Sequence, residues 1–421
     1  MGALGCSLLG DNVYFLALSW AATRSGSPAQ AGLVLGVAAV PRAVLMLGGG
    51  VVADRFGPRR VVIGSDLSRC LVMSAVAGVL AVSTPGVWLL VAVGLVFGTV
   101  DALFLPAVGA LPPRITGPDQ LARVQGLRGL ASRAATIGGS PLGGLAMALG
   151  GPACAFAVAG ALFALSLPLL IAVRVAPLPA DGPPASGRNG TARRDLADGL
   201  RHIRRDRVLG PLMLVLAIGE LGFAGPLNIG LALLADERGW GASGLGWIVG
   251  GFGAGAVAAS FLLAVRGRLP RAGLVQQVCL VLGAAAIAAL ALAPSLPAAV
   301  VVGATVGLTA GLGGALSAAL LQTTAAPAYL GRVTAVAGLF SLGLAPLTYP
   351  VTGAAVALWG TRPVFLASAA VVALGSVVGL CSRSVRRAEL PVPQAASGTV
   401  RVSLPHREDG EGPAGPASRR T

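Results

Sequence analysis

Asp11, Arg42, Asp101, Arg133 and Glu220 are charged side chains near the middle of apolar runs long enough to cross a bilayer. A charge near the centre of a membrane helix costs about 2.5–3.5 kcal/mol on insertion scales, so each needs a partner or a task. At a rise of ~1.5 Å per residue, all five fall within roughly 5 Å of the middle of their runs and share one layer. Such a layer supports two kinds of chemistry. Opposite charges can pair and fix helices to one another, and a carboxyl without a cation can bind and release a proton. Counting partners separates the two. Asp11 faces Arg42 at similar depth on consecutive antiparallel runs, and Asp101 stands in the same relation to Arg133, with Arg128 one turn further in; both are expected as structural ion pairs, which a cationic substrate could release. Glu220 has no basic residue at its depth in the second half of the chain, which makes it the candidate proton-binding group. Tyr14, Phe15, Phe104, Phe223 and Phe252 are available either to line an apolar cavity or, by default, to pack a core.

The elements that position these residues follow from composition. Of 421 residues, 55% are hydrophobic and 11% charged, against about 25% charged in a soluble domain, and the mean hydropathy is +0.81. A soluble globular fold is excluded. Runs such as 87–97 and 284–293 are apolar on every face, which argues for helices rather than the alternating strands of a barrel. At about 20 residues per crossing, the chain has room for about twelve spans. Breaks at Gly, Pro and charge divide it into spans 3–22, 31–52, 61–82, 87–110, 122–149 and 153–173, then 209–234, 244–265, 272–293, 298–321, 333–357 and 363–382. The expected fold is an all-α polytopic membrane protein with a six-helix bundle in 1–173 and a second in 209–382. The linker 174–208 opens with the Pro- and Gly-rich "PLPADGPPASGRNGT" and continues as "RRDLADGLRHIRRDR". There Leu196, Leu200 and Ile203 make one apolar stripe, suited to the inner membrane surface or equally to the protein's own cytoplasmic face. The polar tail 383–421 is expected to be a disordered cytoplasmic segment.

The formal net charge is +15. No lysine occurs, and the arginines, with the Ala, Gly and Pro richness, point to GC-rich bacterial coding. They sit in short loops, not in a patch, which argues against a nucleic-acid partner. Arg24, Arg238 and Arg362 fall in loops on one side and the remaining loop arginines on the other, so the positive-inside rule places both termini in the cytoplasm. Cys6, Cys70, Cys154, Cys279 and Cys381 are scattered in or beside apolar runs and read as small buried hydrophobes rather than a disulfide or metal framework. Asp11 and Asn12 interrupt what would be the core of a signal peptide, so the first segment reads as a retained span. With His202 and His406 both in cytoplasmic segments, no intramembrane catalytic or metal centre is expected, and no cofactor.

The halves repeat in parallel. An offset of 209 carries Arg123-Val124 to Arg332-Val333, Gly129-Leu130 to Gly338-Leu339, Pro141 to Pro350, Gly144 to Gly353, Gly151 to Gly360 and Phe156 to Phe365, and maps Gly10-Asp11 onto Gly219-Glu220. A three-residue shift then aligns Gly32-Leu33 with Gly244-Leu245 and Pro58-Arg59 with Pro270-Arg271. Parallel repeats related by an axis along the membrane normal suit alternating access around a site near the midplane.

Between the second and third spans, "GGGVVADRFGPRR" resembles the loop signature of the major facilitator superfamily, Gly-x-x-x-Asp-Arg-x-Gly-Arg-Arg, through Gly50, Asp54, Arg55, Gly57, Arg59 and Arg60, with Pro58 as an insertion-like departure. "GDNVYFLALSW", "GSPAQAGLVLGVAAVPR", "SDLSR", "DLADGLRHIRRD" and "GRVTAV" are similar to segments of its drug/proton antiporter branch, which includes macrolide-efflux proteins and the enterobactin exporter. Asp101 stands where many members carry an arginine motif, and "GSPLGG" has Ser140 in place of the antiporter motif's proline. The resemblance implies a central cavity lined by spans one, four, seven and ten. It also implies a cytoplasmic gate built from the signature residues with Asp66 and Arg69 of "SDLSR", Asp54 latching against the helix start near Arg332. The implied function is proton-coupled efflux of amphipathic small molecules, drug, macrolide or siderophore-like, by a monomer in the cytoplasmic membrane. The alternatives are a nutrient or metabolite importer on the same fold, or a permease subunit. The last would need a separate ATPase, because a chain without lysine holds no Gly-x-x-x-x-Gly-Lys loop.

Overall fold

A computed structural model describes residues 2–83, 86–111, 121–172, 201, 203–266, 270–325 and 330–389. All described elements are helical: α1 Gly2–Ser25, α2 Pro28–Phe56, α3 Pro58–Val82, α4 Val87–Ala110, α5 Leu121–Ala172, α6 Leu209–Gly225, α7 Leu231–Glu237, α8 Gly241–Arg266, α9 Ala272–Leu292, α10 Leu296–Thr324, α11 Leu330–Gly343, α12 Ala345–Trp359, α13 Thr361–Cys381 and the short α14 Arg383–Arg386. Nine helical stretches among the described residues are long and apolar enough to cross a membrane. Continuous apolar runs make helix the only way to satisfy the backbone in hydrocarbon. The linker's Leu196 and Leu200 and the tail beyond Glu389 lie outside the described residues.

The helix ends are marked by their residues. Ser27 and Gln30 form a reciprocal capping box at the start of α2, with Pro28 in its first turn. Asp206 accepts from the backbone N–H groups of Val208 and Leu209, both at 2.8 Å, and caps α6. Although α5 runs 52 residues, it is two spans folded at Gly150-Gly151, where Gly151 takes φ 65°. Its repeat partner Gly360 takes φ 80° between α12 and α13. Both positions lie in the left-handed region that a side chain disfavours, so the repeat conserves a corner that only glycine forms without strain. The span expected at 209–234 is interrupted by a π-helical turn, Pro226–Gly230, which joins α6 to α7. That expected at 333–357 breaks after Gly343, dividing α11 from α12.

In the first half α1 packs along α5, α2 along α4, and α3 against α5 and α4; in the second, α8 packs along α10, α9 against α10 and α13, and α13 against α6. The halves meet through α2 on α12 and α5 on α8. Both joints have the same construction. A Cβ added at Gly32 would lie 2.5 Å from the Tyr349 carbonyl and 3.0 Å from the Gly353 Cα, and one at Gly36 would lie 2.5 Å from the Pro350 ring. On the opposite side, a Cβ at Gly246 would lie 2.6 Å from the Ser140 carbonyl and 3.3 Å from the Gly144 Cα, and one at Gly250 would lie 2.8 Å from the Pro141 ring. Each joint therefore sets a Gly-x-x-x-Gly helix face on a Pro-x-x-Gly turn, the close backbone approach that small residues permit in membranes. Gly32 matches Gly246, and Gly36 matches Gly250, an offset of 214 (246 − 32), so the second spans are related by a five-residue shift from 209 where three was expected. At the same end of the molecule Arg24 on α1 pairs with Asp236 on α7 at 3.0 Å.

Ile203 is buried with Leu209, Leu212, Ala272, Leu316 and Val333. Of the two expectations for its stripe, packing on the protein's own surface holds at this residue. Among the described residues all five cysteines are free thiols.

Candidate functional site

The charged layer converges on one guanidinium. Arg69 of α3 is fully buried, and its terminal nitrogens lie 2.7 Å from Asp101 Oδ1, 3.4 Å from Asp11 Oδ1 and 3.5 Å from Asp66 Oδ1. Asp66 also accepts from the hydroxyls of Ser7 and Ser166, which ties α3 to α1 and to the second part of α5. Arg69 Cζ lies 4.0 Å from the Phe104 ring centre, 5.1 Å from Phe97 and 5.6 Å from Phe163, so aromatic faces supply the rest of its surroundings. Tyr14 stacks on Phe97 with ring centres 3.6 Å apart. Arg42 reaches Asp101 from the other side, with Nε 3.1 Å from Oδ2.

These contacts correct the expected pairing. Asp11 is held by Arg69 and not by Arg42, while Arg42 joins Asp101. Arg133 instead donates to the Ala256 carbonyl on α8 at 2.8 Å, and neither Arg133 nor Arg128 forms an ion pair among the described residues. The reason is packing: α4 lies against α2 and α3, whereas the first part of α5 lies against α1 and α8. Asp66 and Arg69 are likewise displaced from the cytoplasmic edge implied by the resemblance. Arg69 stands eleven residues into α3, Pro58–Val82, close to its midpoint.

Of the loop signature, Gly57 makes the α2–α3 corner with φ 84°, Arg59 donates to the Ile171 carbonyl at 2.7 Å, Arg55 lies over the Phe56 ring, and Arg60 is exposed. The environments of Gly50, Asp54 and Arg332 lie outside the description, and with them the expected latch. Gly138, Gly139, Gly143 and Gly144 are packing positions: Cβ atoms at Gly139 and Gly143 would meet Asn12 and Val13 on α1 at 2.8 and 3.1 Å.

Beside the cluster lies a cavity of about 400 Å³ whose wall includes Asn12, Phe15, Arg42 and Asp101 from the first half and Glu220, Phe223, Asn228 and Tyr349 from the second. Of the expected aromatics, Tyr14, Phe15 and Phe223 border it; Phe104 packs on Arg69 and Phe252 against Phe223. Glu220 Oε1 accepts from Ser341 Oγ at 3.2 Å, and no ion pair reaches Glu220 among the described residues. Its repeat partner Asp11 is paired with Arg69 and does not border the cavity, so the two acids matched by the repeat have different surroundings. Asn228, on the π turn, and Ser341 and Tyr349, beside the α11–α12 break, enter the wall where helices are interrupted. Nothing in a hydropathy pattern marks those residues.

A largely apolar cavity with a few charged and polar groups on its wall, enclosed by membrane-length helices from both ends of the chain and with a buried charge cluster against it, is the layout of a membrane carrier. The chain belongs to the Major Facilitator Superfamily, whose profile matches residues 1–345, and it is a multi-pass membrane transporter. It is 27% identical to the multidrug efflux pump Tap of Mycobacterium tuberculosis over 419 residues, covering 92% of this chain and 93% of that protein, and equally to the Tap pump of Mycobacterium bovis. Among solved structures, the fold is similar to the nucleoside transporter NupG (TM-score 0.69, 14% identity, covering 91% of this chain and 100% of that one). It is also similar to a bacterial homologue of the human lysosomal transporter Spinster in an inward-facing, occupied conformation (TM-score 0.68, 15% identity, covering 90% and 95%).

Proposed function

We propose that the protein exports amphipathic small molecules in exchange for protons, by alternating access between two six-helix bundles, 1–173 and 209–382, in a twelve-span topology with both termini cytoplasmic. The observation that carries this reading is Glu220. Among the described residues it is the carboxyl on the cavity wall without an ion pair, facing a wall where Asp101 is held by two arginines. A carboxyl so placed binds a proton when the cavity faces one side of the membrane and gives it up on the other, while cargo occupies the same space. The efflux relatives support the outward direction of cargo.

The positive-inside reading puts the joined end of the molecule, with Gly32 on Gly353 and Arg24 on Asp236, outside. The cavity then faces the cytoplasm. Outward opening must separate both glycine joints and the Arg24–Asp236 pair, and an Asp54–Arg332 latch would close the cytoplasmic end in that state. Asp11 and Asp101 act as structural anchors in this scheme, and the transporter works as a monomer.

The test uses inside-out vesicles and ethidium as cargo. Glu220→Gln is expected to slow pH-gradient-driven ethidium uptake at least tenfold while downhill ethidium exchange persists. Gradient-driven transport at the wild-type rate would remove Glu220 from coupling. Higher cellular ethidium accumulation on overproduction would make the protein an importer.

A further inference from the structure

The two walls of the cavity carry opposite charges that are each only partly engaged. On the first half, Arg42 binds Asp101 through Nε alone. Its side chain is 30% exposed, it borders the cavity, and its two terminal nitrogens make no hydrogen bond or ion pair with any described residue. The outer fork of the guanidinium, the part whose parallel N–H groups match a carboxylate or phosphate, therefore has no described partner of its own at the cavity wall. On the second half, Glu220 uses Oε1 for Ser341 and leaves Oε2 without a described partner. Tyr349 borders the same cavity, and Phe15, with its ring centre 6.0 Å from Arg42 Cζ, and Phe223 offer apolar faces on its wall.

We propose that this cavity selects dipolar cargo: an amphipathic zwitterion whose anionic group lies on the Arg42 fork and whose cationic group lies toward Glu220, with its apolar body against Phe15 and Phe223. The choice of class follows from what each charge lacks. A monocation would satisfy Glu220 and leave the guanidinium fork bare, whereas a monoanion would do the reverse. A zwitterion satisfies both walls without bringing net charge into the membrane interior, where uncompensated charge is most costly. Asp101 does not supply the anionic group in its place, because Arg69 holds its other oxygen at 2.7 Å. The cation of such a cargo and the proton on Glu220 would exclude each other, so this inference rests on the proton-coupled reading and specifies the cargo for it.

Tetramethylrhodamine and its methyl ester test the idea, because they share one fused-ring body and differ in carrying a carboxylate or an uncharged ester. Binding to purified protein is read by fluorescence anisotropy, independently of any gradient, so failure here is separate from failure of coupling in vesicles. Wild type is expected to bind the zwitterion at least tenfold more tightly than the ester. Arg42→Gln is expected to cut that ratio at least tenfold, and Glu220→Gln to weaken both dyes with the ratio kept. Arg42→Lys, which retains the charge without the fork, is expected to lower the ratio severalfold and serves if Arg42→Gln folds poorly. Competition by short-chain phosphatidylethanolamine assigns the site to a lipid headgroup, and its failure assigns the site to a free zwitterion; either outcome supports a dipolar site. An ester bound as tightly as the zwitterion, a ratio that survives substitution of Arg42, or no binding of either dye would overturn the proposal.

Discussion

Replacing Arg69 by methionine is expected to leave little folded protein in the membrane. The guanidinium lies within 3.5 Å of three carboxylates, and none of the three gains another cation when it is lost, except that Asp101 keeps Arg42. Removing one partner of a buried ion pair costs about 3–5 kcal/mol, a large part of the total of roughly 5–15 kcal/mol that holds a protein folded. Here the loss falls on three acids at once. Arg69→Lys is not expected to rescue, because a compact ammonium cannot reach Asp101 and Asp11 together while lying flat against Phe104. Monodisperse yield and thermal unfolding in detergent are the measurements. Adding Asp11→Asn and Asp66→Asn to Arg69→Met should recover part of the lost yield, since neutral amides in this pocket cost less than bare carboxylates, and Asp101 keeps Arg42. An Arg69→Met protein that unfolds at the wild-type temperature would mean that the cluster does not hold α1, α3 and α4 together.

Gly32→Leu is expected to abolish transport in a protein that still folds. In the joined state its Cβ would lie 2.5 Å from a backbone carbonyl and 3.0 Å from a backbone Cα, and neither can yield as a flexible side chain would. The halves could then not close at that end, whereas packing inside each bundle would be untouched. Gly246→Leu is expected to act in the same way, because the α5–α8 joint has the same construction. Dye transport should fall to background in both, with normal monodisperse yield; wild-type transport would show that closure of these joints is not part of the cycle.

The sequence locates the spans and the buried charges well, for the same physical reason. Hydrocarbon demands unbroken apolar helices, so the termini of α3, α4 and α9 lie within about five residues of where Gly, Pro and charge put them. The repeat likewise reveals its glycine corner, since Gly151 and Gly360 must both adopt positive φ. Which charge meets which is harder to read. Pairing Asp101 with Arg133 requires that helices of similar depth and opposite direction be neighbours, and depth says nothing about rotation or lateral order. Arg69 was findable. Its position near the midpoint of α3 puts it in the same layer as the other five, whereas its resemblance to a loop-proximal motif implies the membrane edge. The wall residues Asn228, Ser341 and Tyr349 carry no such mark, because they enter the cavity through a π turn and a helix break that depend on tertiary packing.

Alternating access around the central cavity requires that the joined end opens. Spin labels at positions 24 and 236, in a background in which the five native cysteines are replaced, measure this directly by pulsed dipolar spectroscopy. Two distance populations are expected: a short one matching the Arg24–Asp236 contact, and a longer one whose share changes with pH in wild type but not in Glu220→Gln, and that dominates in Gly32→Leu. A single short distance in all three proteins at every pH would contradict a rocking pair of bundles.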